Sequence, residues 1–138
     1  MEGRLKYKIR HYEDAIMNFK DSLSIDFKDF SEKVIDCIKS GRVQKFEFCT
    51  DLLWKTLKIY LWEVNGIDSR SPKLVIKDFY NLGGLSVEEY EKIMEMLDDR
   101  NRLSHIYNHE QFEEIYNRII LTLPAFNQVL DYLRSDQA

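Results

Sequence analysis

The chain has 138 residues, 44% of them hydrophobic, which is about one domain's length and enough for one core, so residues 1–138 read as a single unit. Two prolines and five glycines, against abundant leucine, isoleucine, lysine, glutamate and aspartate, leave little turn chemistry for a multi-stranded sheet and favour an all-α fold. A net charge of −4 gives phosphate no general attraction, so any contact with nucleic acid must use a local patch or a partner's surface.

The first helix is expected over roughly residues 4–24, where Leu5, Ile9, Tyr12, Ile16, Phe19 and Leu23 recur at spacings of four and three. A shorter helix is expected from Ser31 to a glycine stop at Gly41, with Phe30, Val34, Ile35 and Ile38 facing inward. The next, from Val43 to Val64, is apolar nearly all round. Glu47, Asp51, Lys55 and Lys58 leave it one polar stripe, with Asp51 and Lys55 ordered for a supportive i,i+4 pair. Such a helix is either central or shared with a second subunit.

Asn65-Gly66 ends that helix, and Ser71-Pro72 opens a short one with proline at its first position. Gly83-Gly84 breaks the chain again. Ser86 and Glu89 have capping-box spacing and start a helix at Val87 that turns Tyr90, Met94 and Leu97 inward. Asn108 and Gln111 repeat the spacing ahead of a last helix with the seam Phe112, Tyr116, Ile119, Leu123, Phe126, Leu130 and Leu133, kinked at Pro124. Long amphipathic helices with short connections predict an up-and-down bundle of four-helix type with short additional helices.

The N-terminal MEGRLKYKIR lacks the apolar core of a signal peptide, and the longest apolar stretches, such as IILTLPAF at 119–126, are too short to span a bilayer. The expected setting is the cytoplasm, with no membrane partner. Cys37 and Cys49 show no metal-ligand spacing and are expected to be buried free thiols. Neither metal nor cofactor is expected: His105 and His109 are four apart, but Asn108 reads as a helix cap between them, and Gly83-Gly84 lacks the lysine and the strand of a phosphate loop.

The stretch DDRNRLSHIYNHE, residues 98–110, gathers an arginine, an asparagine, two histidines and a tyrosine where one helix ends and another begins. Arg100 and His105 are five residues apart, which on an unbroken helix points them about 140° from each other, at ~100° per residue. They can converge on one phosphate if the helix breaks near Leu103 or if two copies of the chain meet along this edge. Arginine would then grip its oxygens in a planar fork, and histidine would move a proton near neutral pH. The alternative is that Arg100 caps helix carbonyls and pairs with Asp98 or Glu95 while His105 fills a turn.

FEFCTDLLWKTLKIYL (46–61), SPKLVIKDFYNLGGLS (71–86) and the MLDDRNRLSHIYN run (96–108) closely resemble, in order and spacing, the HEPN-fold family of nucleotidyltransferase substrate-binding proteins. The resemblance implies a helical-bundle homodimer encoded beside a minimal nucleotidyltransferase, often the toxin half of a toxin–antitoxin pair, with metal-independent ribonuclease activity. It implies Arg100 and His105 as the catalytic pair, Asn101 as a polar helper, and Tyr107 as the hydroxyl to which the partner attaches AMP. The sequence departs from the family's pattern at Arg102-Leu103 and at Ile106, where smaller and more polar residues are common. Three readings follow: a ribonuclease with a composite dimer cleft that takes RNA, a non-catalytic substrate-binding subunit of a nucleotidyltransferase, and a bundle used for assembly alone.

Overall fold

A computed structural model describes residues 3–137; Met1, Glu2 and Ala138, at the ends of the expected unit, lie outside the described residues. The fold is an all-α bundle with no strand among the described residues. Its elements are α1 (Arg4–Leu23), α2 (Glu32–Asn65), α3 (Pro72–Asn81), α4 (Val87–Arg102), a 3₁₀ turn (Leu103–His105), α5 (His109–Ile119) and α6 (Leu123–Gln137). The 34-residue α2 is the central element, packing against α1, α3, α4, α5 and α6.

The helix starts and stops are chemical. Ser31, Ser71 and Ser86 each accept a backbone N–H from three residues on, and Ser86 and Glu89 complete a reciprocal capping box. Gly66, at φ +67°, occupies the left-handed region that ends α2, turning the amides of Gly66 and Ile67 back onto the carbonyls of Trp62 and Leu61. After α3, Gly83 at φ +85° makes the left-handed turn, and Gly84 is needed for a different reason: a Cβ there would lie 2.5 Å from the Phe79 ring, so only glycine lets the chain cross that core aromatic.

Two expected boundaries are corrected. The separate helices over 31–41 and 43–64 are one, running straight through Gly41. A mid-helix glycine costs about 1 kcal/mol against alanine, and the residue after it supplies the compensation. Arg42 is buried, donates to the Ser22 and Ile25 carbonyls at the end of α1 and to the Tyr116 hydroxyl, and lies 4.5 Å from the Phe27 ring centroid. Those four contacts hold the helical register across the glycine. Instead of one last helix kinked at Pro124, the chain makes two. The Pro124 ring would clash with the Ile120 carbonyl in a continuous helix, so residues 120–122 turn, the Thr122 hydroxyl donates to the Ile119 carbonyl at 2.6 Å, and proline falls in the first turn of α6.

The core is aromatic at both ends. Phe19 and Phe46 meet Phe126 edge-on, the Tyr12 hydroxyl donates to the Phe126 carbonyl at 2.8 Å, and Tyr60, Phe79 and Tyr132 form a second edge-on cluster. The expected inward faces hold for α1, except that Leu23 is half-buried, and fail in two places. Phe30 and Val34 are exposed. In α4 Leu97 is buried as expected, but the other buried apolar residues are Ile93 and Met96, while Tyr90 and Met94 stay half-buried at the edge of a groove. Of the cysteines, only Cys49 is buried, its thiol pushed up to about 12 by that burial, against the lowering influence of Lys45; Cys37 is exposed. No helix among the described residues is long and apolar enough to cross a membrane.

Candidate functional site

The site is built where α4 runs out. The helix tightens into the 3₁₀ turn over Leu103–His105, Ile106 is extended, and the Asn108 side chain caps α5 by accepting the Gln111 amide at 2.8 Å. The Gln111 side chain does not close a capping box on Asn108; its Oε1 accepts the Tyr107 amide at 2.9 Å. The backbone on either side of Tyr107 is therefore held by the start of α5.

Successive residues on α4 point about 100° apart, and here that sends two neighbouring charges to opposite sides. Asp99 turns inward and is only 2% exposed. Its carboxylate accepts Arg118 Nε at 2.9 Å and Nη2 at 2.7 Å, and Arg102 Nη1 at 2.8 Å. Burial pushes the Asp99 carboxyl up, but the hydrogen bonds and charges of Arg118 and Arg102 outweigh it and hold the group below the usual aspartate range. Arg102, a departure from the family's pattern, thus has a structural partner inside the helix.

Arg100 turns towards α2. Its Nε and Nη2 fork onto the two oxygens of Asp51 at 3.2 and 3.3 Å, and Nη1 reaches Glu47 at 2.5 Å. Those hydrogen bonds, with Asp51's the stronger influence, raise the guanidinium's pKa above its ordinary value. The expected partners Asp98 and Glu95 are engaged elsewhere: Asp98 takes Lys73 at 2.6 Å, and Glu95 lies 3.7 Å from Lys92. Asp51 therefore faces Arg100 across the bundle, and the Lys55 ammonium sits 5.8 Å from the Trp54 ring centroid.

Two cavities flank this helix end. A groove of about 1000 Å³ between α4 and α5 is lined by Asn101, Arg102, His105, Ile106 and Arg118 among others. A smaller cavity of about 550 Å³ between α2, α3 and α4 contains Arg100, Trp54 and Ser104. Asn101 lines both. Arg100 and His105, expected to converge, thus open onto neighbouring cavities within one protomer, with Asn101 between them. Tyr107 is 83% exposed and its hydroxyl has no hydrogen-bond partner among the described residues. Phe112 stacks on Tyr116 instead, with ring centroids 6.0 Å apart. His105 and His109 share no helix face, since one ends the 3₁₀ turn and the other begins α5 beside Glu113.

Sequence reasoning missed Asp99, Glu47, Asp51 and Trp54 as parts of this site. The Asp99–Arg102 spacing is a visible signal; the partners on α2 and α5 are not.

Similarity to known proteins extends over nearly the whole bundle. No curated protein matches the chain. A crystal structure of a protein from Thermus Thermophilus superposes with a TM-score of 0.77 at 31% sequence identity, covering 89% of this chain and 98% of that one. The family profile for nucleotidyltransferase substrate binding protein like proteins matches residues 7–135. Nearly the whole bundle is thus accounted for, and the chain belongs to the nucleotidyltransferase substrate binding protein like family.

Proposed function

We propose that the chain works as the partner of a minimal nucleotidyltransferase, encoded nearby, and presents Tyr107 to it as the acceptor of AMP. The observation that carries this is the state of Tyr107: a tyrosine 83% exposed, its hydroxyl unengaged, on a backbone pinned to the start of α5. A large aromatic ring held in water contributes little to the core and is accessible to another enzyme's active site. In the transfer, the phenolic oxygen attacks the α-phosphorus of ATP, the bond to the bridging oxygen breaks, pyrophosphate leaves, and the phenolic proton passes to a base of the nucleotidyltransferase or to water. Incubation with that enzyme, labelled ATP and Mg²⁺ tests this: label should enter the wild-type chain and not Tyr107→Phe.

Beside it stands a ribonuclease function for Arg100, Asn101 and His105, supported by the groove that Asn101 and His105 share with Arg102 and Arg118; both arginines are bound to Asp99, and Glu91, Glu95, Asp98 and Glu114 line the same groove. His105 would act as general base on a ribose 2′-OH or as general acid on the leaving 5′-oxygen, and Arg100 would offset charge in the phosphorane-like transition state. Because Arg100 opens onto the neighbouring cavity, the pair is completed in a homodimer, where two copies of the 100–107 segment face one cleft. Phe48 and Trp62, more than half exposed on α2, are apolar surface for that association. AMP on Tyr107 would place an anion at the mouth of the cleft and keep an RNA phosphate out. This makes the chain a toxin whose reaction site carries its own off switch, acting in the cytoplasm as a single HEPN-like unit. A non-catalytic substrate-binding subunit remains the alternative, favoured by the two carboxylates that already occupy Arg100.

A further inference from the structure

We infer that the cavity beside Arg100 is a base-binding subsite for single-stranded RNA, with Trp54 as its stacking surface; this rests on reading residues 100–107 as a segment that handles RNA. At about 550 Å³ the cavity falls within the size range of small-ligand sites and suits one nucleotide. Its walls divide as a nucleotide does. Trp54, Pro72 and Leu97 supply flat and apolar surface, Ser71, Asn101 and Ser104 supply hydrogen-bonding groups, and Asp51, Lys73 and Arg100 complete the lining. Trp54 is only half-buried, so part of its indole is available to a planar partner.

The electrostatics favour stacking over general phosphate attraction. Arg100, Lys73 and Lys55 are set against Asp51, Glu47 and Asp98, each cation beside a carboxylate or an aromatic face. Arg100 nevertheless keeps donors in reserve, because its hydrogen bonds to Asp51 and Glu47 engage three of the five guanidinium N–H groups. A phosphate arriving at the rim can be contacted locally without a long-range field to draw it in. The subsite also has a direction. Asn101 borders both cavities, so a strand whose base sits against Trp54 leads over Asn101 towards His105, in a groove where Glu91, Glu95, Asp98 and Glu114 outnumber Arg102 and Arg118 and leave stacking, not phosphate attraction, as the main source of affinity.

The chain has two tryptophans, Trp54 and Trp62, so Trp62→Phe leaves Trp54 as the sole indole reporter. In that variant, with His105→Ala added to prevent cleavage, a short single-stranded oligoribonucleotide should quench the fluorescence, and AMP should do so more weakly. With a fluorescein-labelled oligonucleotide and anisotropy as the readout, which needs no indole, Trp54→Ala should weaken binding between about fivefold and a hundredfold, the range for loss of one stacked base. Trp54→Phe should keep most of the affinity and serves as the control for folding. The dependence on salt should be shallow, with fewer than about two counterions released. Absence of quenching by the oligonucleotide, quenching by AMP alone, or equal affinity in Trp54→Ala would overturn the subsite. Each readout is independent of Tyr107, so a failure here leaves AMP transfer standing, and a failure of AMP transfer leaves the stacking result intact.

Discussion

Asp99 and Arg118 meet edge to edge, Oδ1 to Nη2 at 2.7 Å and Oδ2 to Nε at 2.9 Å, joining the last turn of α4 to the last turn of α5. The next residue, Arg100, joins the same turn of α4 to α2 through Asp51 and Glu47. Two adjacent side chains thus fix α4 from both sides, immediately before the 3₁₀ turn that carries His105. The segment 103–107 is held at its start by these ionic clamps and at its end by the Asn108 cap.

Replacing Asp99 with Asn should cost about 2 kcal/mol of unfolding free energy, less than the ~3–5 kcal/mol typical when one member of a fully buried pair is removed, because Arg118 and Arg102 are partly exposed. The folded carboxyl titrates below its unfolded value, so its contribution is present above the ordinary aspartate pKa of ~3.9 and is lost as pH falls through the lower folded value. Urea denaturation at pH 7 and under acid should show the wild type's advantage over Asp99→Asn shrinking as pH drops. A pH-independent difference would contradict it.

Arg100→Lys should behave almost as badly as Arg100→Ala in fixing α4, since an ammonium cannot reproduce the fork on Asp51 while reaching Glu47. Each should cost about 1 kcal/mol, discounted because the three side chains are about a third exposed. Thermal melts that show Arg100→Lys equal to wild type would remove the fork from the account.

If His105 carries the proton, His105→Ala should abolish RNA cleavage and growth inhibition while circular dichroism is unchanged, because the ring is exposed and outside the core. EDTA should leave wild-type cleavage as it was. Equal cleavage by wild type and variant would assign the activity to a contaminant.

Light scattering should give about twice the 16.6 kDa chain mass at micromolar concentration. Charge placed on the exposed apolar face of α2, as Phe48→Glu with Trp62→Glu, should shift that value towards the monomer. A wild-type monomer would remove the composite cleft.

Much of the fold was legible because its punctuation is local. Ser71-Pro72, Ser86 with Glu89 and Asn65-Gly66 each act within one helical turn, and each falls where spacing puts it. Gly41 misled because the contacts that override it come through Arg42 from residues 17, 20 and 74 positions away. The inward face of α4 misled because both faces carry apolar residues, and only packing decides that Ile93 and Met96 go in while Tyr90 and Met94 border the groove. At the site, motif spacing correctly locates residues 100–107 at a helix break. It could not reveal that Arg100 is forked onto carboxylates 49 and 53 residues upstream, which is a property of the tertiary fold alone.

We propose Tyr107 as the residue that a nucleotidyltransferase modifies. The most direct test is peptide mapping by mass spectrometry after incubation of the chain with the neighbouring nucleotidyltransferase, ATP and Mg²⁺. Adenylyl mass should appear on the peptide that holds Tyr107 and be lost in Tyr107→Phe, and that variant's stability should change by no more than about 0.5 kcal/mol, as suits an exposed ring. An unmodified Tyr107 beside an enzyme shown to be active on another acceptor would contradict it.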